Sequence, residues 1–315
     1  MSKEPQIKYL KRQEIDTSRW DACIAASANR LVYGFHFYLD TMTDGQWDAL
    51  VYDDYQAVMP LTWRRKGGIR YLYQPAFTQQ TGIFSPMPIN PSLIETFLSA
   101  TTHQFRFAEI YLNYGNPHPA LRVHENLILP LQDPYPVLQS RYKKDLQRNL
   151  RLAAGSGLVY TPDLDLGAAI DAYRSEYAAR HPAIRPEDYT RFHNLCRSLP
   201  SSSTVQPTQP RPPALILRSA IRSGELCATA LLIHDATRLY LLQSTTPPAG
   251  RKLAANHFLI DQLIHEFAGR DAILDFEGSD LPGIAYFYAN FGAIRQPYFF
   301  HRHTRLPWPW RLLKS

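Results

Sequence analysis

One succession of segments occurs twice in this chain, and it constrains the fold more than any single motif. The first copy runs "WDALVYDD", "YQAVMPLTWRR", a "KGG" turn and "IRYLYQPAF". A segment of helical period, "SLIETFLSATTHQF", and the strand-like "AEIYLNYGNPHP" follow. The second copy runs "ALILRSAI", the turn "RSGE", "LCATALLIHD" and "TRLYLLQST". It continues into "LAANHFLIDQLIHEFAG" and "AILDFEGSDLP". Apolar and aromatic runs broken by turn residues are the signature of antiparallel strands. A supersecondary unit repeated at this length predicts two similar α/β domains. Each is expected to be a mixed, mainly antiparallel sheet flanked by helices, an α/β (α+β) class. At 315 residues, with 45% hydrophobic and 20% charged side chains, the chain is long enough to give each copy a core.

Between the copies lie three segments of helical character: "LQSRYKKDLQRNLRLAAGSG", ending near Gly155, "LGAAIDAYRSEYAARH" and "RPEDYTRFHNLCRSL". The last carries Pro186 and two acids in its first turn, as helix starts favour. These predict a helical insertion between the domains. The Ser/Pro-rich stretch at 200–213 reads as a mobile surface connection. The domain division expected is 1–135 and 136–315, the second beginning with the basic helix and containing that loop.

Several classes are disfavoured. No stretch approaches the ~20 apolar residues of a spanning helix, and the N-terminus has no apolar run, so a cytoplasmic protein without membrane insertion is expected. Cys23, Cys196 and Cys227 stand singly, and no metal-ligand spacing occurs, so neither a disulfide framework nor a metal site is expected. The net charge of +6 suits an anionic partner only where it clusters. In "RYKKDLQRNLRLAAGSGL", Lys144, Arg148 and Arg151 fall four and three apart and share one helical face. Leu146 and Leu150 define the opposite side. Such a stripe is either a solvated face or a site for a diphosphate or a tRNA backbone.

The stretch "LDFEGSDLPGIAYFYANFGA" holds the candidate chemistry. A strand stopping at Phe276 presents Glu277, Gly278 and Ser279 at its carboxyl end, where open α/β sheets place ligand crevices. The bland alternative is that Glu277 and Ser279 cap the next helix. Strand, "DFEGS", a helix with "FY" and then "FGA" resembles the C-terminal signature of the FemAB-like branch of the acyl-CoA N-acyltransferase (GNAT-like) superfamily, whose members pair two GNAT-like domains. The helix "RYKKDLQRNLRLAAGSGL" is similar to the basic helix that this family carries before its second domain.

The resemblance implies an N-acyltransferase that forms an amide on a small amine acceptor, such as a cell-wall-precursor-like molecule. Its donor would be an acyl-CoA, as co-substrate rather than tightly bound cofactor, or an aminoacyl-tRNA. No DNA partner is implied. Glu277 would be the base, and Tyr288, or Tyr286 should the helix turn the other way, the acid. The family's pyrophosphate loop corresponds here to "TPPAGRKLAANHF", which has a single glycine. Gln243, Gly250, Arg251, Lys252 and Asn256 are therefore the candidate coenzyme contacts, with side-chain charge standing in for backbone amides. Lys144, Arg148, Arg151 and Ser279 are the candidate substrate contacts in the second copy. In the first copy "YLNYGNPHP" stands where "DFEGSDLP" does, so Asn113 and Tyr114 would read the acceptor, with no carboxylate after that strand. The competing class is a non-catalytic binding protein of the same fold, holding an anionic ligand or RNA.

Overall fold

The computed structural model describes residues 6–162, 165–201, 213–235, 237–277 and 280–306. Most of the Ser/Pro-rich stretch at 200–213 lies outside them, as does Ser279. The chain divides into two compact units, one of residues up to His124 with those from Pro297 onward, the other of Glu125–Gln296.

The first unit contains β1 (Ile7–Lys11), α1 (Thr17–Ala26), α2 (His36–Thr43), β2 (Trp47–Tyr52), β3 (Ala57–Lys66), β4 (Ile69–Leu72), α3 (Pro91–Gln104) and β5 (Phe107–Leu112). The second contains β6 (Arg122–Pro130, from Glu125 on), α4 (Tyr135–Ser140), α5 (Lys144–Ala154), β7 (Val159–Thr161), α6 (Leu166–Tyr177) and α7 (Pro186–Ser198). It continues through β8 (Ala214–Arg222), β9 (Glu225–His234), β10 (Arg238–Thr245), α8 (Pro248–Lys252), α9 (Ala255–Phe267), β11 (Ile273–Asp275) and α10 (Pro282–Ala289). The final strand, β12 (Ile294–Thr304), gives its later residues to the first unit.

Strands of the first unit are ordered β1-β2-β3-β4-β5-β12, those of the second β6-β11-β10-β9-β8-β7. In each, neighbours run antiparallel except one pair, β4–β5 in the first and β10–β11 in the second. That pair is the one joined through a helix, because parallel neighbours need a long crossover. The repeated grammar thus becomes β2-β3-β4-α3-β5 and β8-β9-β10-α8-α9-β11. The helical insertion becomes α4 to α7, all within the second unit. A division at 135/136 leaves the last strand with the second half, whereas Phe299–Thr304 hydrogen-bond along β5, from Leu112 to Phe107. Alternating apolar residues at the C-terminus could not reveal which edge they would join.

Each unit has its own core. In the first, α1 and the β2–β3 hairpin bury Trp20 against Trp47, ring centroids 5.0 Å apart, with the Trp20 indole N–H donating to the Gly34 carbonyl. In the second, α9 lays Leu259, Ile260, Leu263 and Ile264 on β8–β10, and α5 adds Leu146 to the same layer. The three cysteines are buried free thiols.

The strand partnership of β12 carries a histidine pair. His303 donates through Nε2 to the Phe105 carbonyl at 2.8 Å, so its Nδ1 accepts from His301 Nε2 at 3.1 Å, and both rings are neutral. Burial, aided by His303, lowers the His301 pKa from 6.5 to about 4, and burial also lowers that of His303. A histidine with a depressed folded-state pKa contributes stability that is present above its unfolded value and lost as pH falls through the folded one. Denaturant melts of the full chain should therefore lose stability from pH 6.5 down to about 4. His301→Gln, which keeps a donor and removes the titration, should lessen that loss.

Candidate active site

The site is organised where β11 ends. Tyr240 and Asp275 form the last parallel pair of β10 with β11. Beyond it the chain keeps to β6, Phe276 N–H bonding to the Leu127 carbonyl at 3.0 Å. β10 continues alone to Thr245, through an irregularity at Leu241–Gln243 of the kind that bends a strand. Among the described residues, nothing pairs with this edge of β10 past Tyr240. The strands part into a notch.

A buried carboxylate holds this point. Asp275 accepts from Arg238 Nη1 at 2.6 Å, from Asn126 Nδ2 at 2.8 Å and from the Glu277 backbone N–H at 2.9 Å. It thereby joins β6, β10 and β11 and turns the chain into Glu277. That residue adopts φ +60°, a left-handed conformation costing a non-glycine residue ~1–2 kcal/mol. Strain of this kind gathers at functional sites. Glu277 is half-buried, with Oε1 sealed from solvent.

The two candidate tyrosines of α10 separate. Tyr286 is exposed and donates its hydroxyl to the Asp145 carboxylate on α5. Tyr288 is buried, its ring stacked on Phe276 at 4.3 Å. Burial raises its pKa, reinforced by Tyr177, Tyr173 and the Glu277 charge, so its hydroxyl stays protonated. Tyr173 and Tyr177, tilted against each other on α6 with centroids 5.1 Å apart, add to that shift, although the sequence reading passed over them. Their spacing of four in "AYRSEY" was the available signal. Asp275 was also passed over, although a lone acid in an apolar strand, "AILDF", marks a buried, partnered carboxylate.

Of the coenzyme candidates, Gln243 lies in the notch strand and is 3% exposed. Neither its Oε1 nor its Nε2 has a hydrogen-bond partner among the described residues. Residues 243 and 245 share one face of β10, and the Thr245 hydroxyl is likewise buried without a partner there. Ser244 faces the other way, donating to Asn256 Oδ1 at 2.9 Å, so Asn256 pins α9 to β10. Gly250 is a packing residue: a Cβ there would lie 1.8 Å from the Cys227 carbonyl oxygen, so α8 crosses β9 only without a side chain. Arg251 donates to the Thr246 carbonyl at 2.9 Å and pairs with Glu176 of α6. Lys252 is exposed at the end of α8.

The basic stripe forms as a helical face on α5, opposite Leu146. Lys144 is exposed, and Arg148 is 77% exposed with a carboxylate oxygen of Asp145 at 3.9 Å. Arg151 instead turns back, its Nε donating to the Gln147 carbonyl at 3.3 Å. In the first unit Asn113 is not presented for reading. It is wholly buried, donating to the Thr81 and Ile83 carbonyls and accepting from Asn29 Nδ2 and the Gly115 N–H. The Asn113 amide thus ties the loop after β5 to the segment at 81–83, giving partners to backbone groups of both. The Tyr114 hydroxyl donates to the Ala28 carbonyl at 3.0 Å. No cluster of three or more metal-ligating side chains, and no helix long and apolar enough to cross a membrane, is found among the described residues.

Residues 140–285, just under half the chain, match the family described as Acetyltransferase (GNAT) domain. This region is similar to a GNAT acetyltransferase domain. The fold of the chain is that of tandem GNAT proteins. It is similar to FemX over 98% of this chain and 99% of that one, at 12% identity and TM-score 0.59. A tandem GNAT protein from the clavulanic acid biosynthesis pathway matches over 96% and 99%, at 10% identity and TM-score 0.52. The C-terminal domain of a putative lysylphosphatidylglycerol synthetase from Agrobacterium fabrum matches over 90% of both, at 13% identity and TM-score 0.51. No curated protein matches by sequence. The match over residues 140–285 supports acyl transfer as the class of chemistry, and the solved structures show the fold.

Asp275→Ala should cost the protein ~3–5 kcal/mol, because it leaves the 4%-exposed Arg238 guanidinium without its carboxylate. Urea unfolding of wild type and variant measures this; a difference below ~1 kcal/mol would show that the pair does not organise the strand end.

Proposed function

We propose that the GNAT domain transfers an acyl group from a coenzyme A thioester to the amine of a small acceptor. The observation that carries this reading is the parting of β10 from β11 beside Gln243. An unpaired strand edge offers alternating N–H and C=O groups to an extended, amide-bearing arm such as pantetheine, which would pair there as an added strand. The Gln243 amide has both a donor and an acceptor to offer the same arm. Lys252 supplies a cation for the donor's phosphates, and Arg251 acts with Glu176 in holding α8 to α6.

The chemistry follows from the groups at the end of β11. An acceptor arriving as an ammonium must lose a proton before attack, and Glu277 is the carboxylate placed to take it, directly or through a water. As the C–N bond forms, negative charge develops on the carbonyl oxygen, where N–H groups on the open edge of β10 would stabilise it. Collapse breaks the C–S bond. Tyr288, with its raised pKa, is a weak proton donor toward a thiolate but a well-held hydrogen-bond donor to it, with the amine's second proton going finally to the sulfur. Ser279, two residues from Glu277, and the cationic Lys144 and Arg148 are left for the acceptor. An aminoacyl-tRNA donor is the second reading, favoured by the exposure of Lys144 and Arg148 on one helical face.

Two measurements test the first reading. Acetyl-CoA should raise the melting temperature of the wild type by mass action. Gln243→Leu should melt no lower than wild type without ligand, since it removes a buried amide with no partner among the described residues, yet show a smaller shift with acetyl-CoA. A variant that melts lower and keeps the full shift would assign Gln243 to structure alone. Glu277→Gln should keep acetyl-CoA affinity and lower turnover, followed as thiol release with a panel of amines, by ~10²-fold or more. Equal thiol release would remove Glu277 from the mechanism, and none in the wild type would favour the non-catalytic class.

A further inference from the structure

α10 carries no charged side chain and is apolar or aromatic on every side, and a helix of that kind is ordinarily buried. Here only Tyr288 is buried. Phe287 packs edge-on against Phe291 and His257, with centroids 5.4 and 4.8 Å away, which fixes the C-terminal half of the helix. The N-terminal half stands out. Leu281, just before it, is 57% exposed, Ile284 43% and Tyr286 54%, and Pro282 and Gly283 are exposed between them. Single exposed apolar side chains are ordinary, whereas a run of them at the tip of a fixed helix marks a surface that meets a partner.

The neighbouring helix shows what kind of partner fits. Tyr286 donates its hydroxyl to Asp145 of α5, and the Lys143 ammonium lies 5.9 Å from the centroid of the Tyr286 ring. Lys143 N–H bonds to the Asn290 carbonyl at 3.0 Å, so the start of α5 is tied to the end of α10. Lys143, Lys144 and Arg148 are exposed, and so is Leu152, one turn beyond Arg148. From Lys143 to Ala154 four cations stand against one acid, Asp145, which is already engaged by Tyr286. Exposed apolar side chains, a tyrosine at their boundary and lysine and arginine beside them are the composition of surfaces that lie in the headgroup region of a bilayer. A second copy pairing α10 with itself would bring these cations toward each other, and an RNA would meet the cations while leaving the apolar tip unused.

We propose that the tip of α10 and the basic face of α5 form a docking surface for an anionic bilayer. Leu281 and Ile284 enter the boundary of the acyl chains, Tyr286 lies at headgroup level, and Lys143, Lys144 and Arg148 meet lipid phosphates. The apolar area is small, so docking is reversible and leaves the chain lying on the bilayer. Lys144 and Arg148, which the acyl-transfer reading leaves for an acceptor, would meet that acceptor at the bilayer surface, but vesicle binding needs no donor and is tested without one.

Co-sedimentation of the full chain with vesicles of phosphatidylcholine alone, and of phosphatidylcholine mixed with phosphatidylglycerol, tests it. The chain should pellet with the mixed vesicles and not with phosphatidylcholine, and high salt should release it. The double variant Leu281→Ser with Ile284→Ser should weaken binding about tenfold or more, and so should Lys144→Gln with Arg148→Gln. Arg197→Gln, which removes an exposed cation of α7, should leave it unchanged. Failure to pellet with the mixed vesicles would overturn the proposal. So would full binding by the Leu281/Ile284 variant, or equal weakening by Arg197→Gln, because the attraction would then be one of charge alone. A dimer in sedimentation velocity that the Leu281/Ile284 variant abolishes would assign the tip to self-association instead. Melting temperatures of the variants within a few degrees of wild type establish that each is folded.

Discussion

The second unit depends on one buried carboxylate. Asp275 is sealed from water, and a charge so placed is tolerated only when its oxygens are filled. Arg238 and Asn126 fill them from the two flanking strands, and the third bond comes from the backbone of Glu277. One side chain thus determines how far β10 and β11 stay paired and which way the chain leaves the sheet. Because its neutral replacement would leave Arg238 charged in the interior, the arrangement is close to all-or-none.

From that anchor the rest of the site follows in order. The turn into a left-handed Glu277 puts its carboxylate at the strand end, and Phe276, the residue between, receives the ring of Tyr288. α10 is therefore docked by an aromatic stack on the residue next to that carboxylate. β10, released from its neighbour, keeps its hydrogen-bonding groups and the Gln243 amide for another partner.

Much of this was legible in the chain. The strand–helix–strand repeat is periodic and long, so β2-β3-β4-α3-β5 and β8-β9-β10-α9-β11 could be read from alternation and turn chemistry. Leu146 and the basic face of α5 followed from a spacing of three and four. Side chains of identical type were less readable. Arg148 and Arg151 share a face and a charge, yet one lies beside the Asp145 carboxylate and the other bonds back to the Gln147 carbonyl. Arg251 has the look of a phosphate ligand in "PAGRK" but pairs with Glu176, a residue 75 positions earlier. Asn113 stands at a strand end like Glu277, yet its amide serves backbone groups of the 81–83 segment and of its own loop.

What the sequence by itself determined is the set of elements, their duplication and the chemical types at each strand end, because period, turn residues and buried apolar pattern are local properties. Only the tertiary structure decided which polar groups are already satisfied. A hydrogen bond or ion pair is closed by a partner that the fold brings from a distant segment, as Arg238 and Asn126 are brought to Asp275, and no spacing along the chain encodes that meeting.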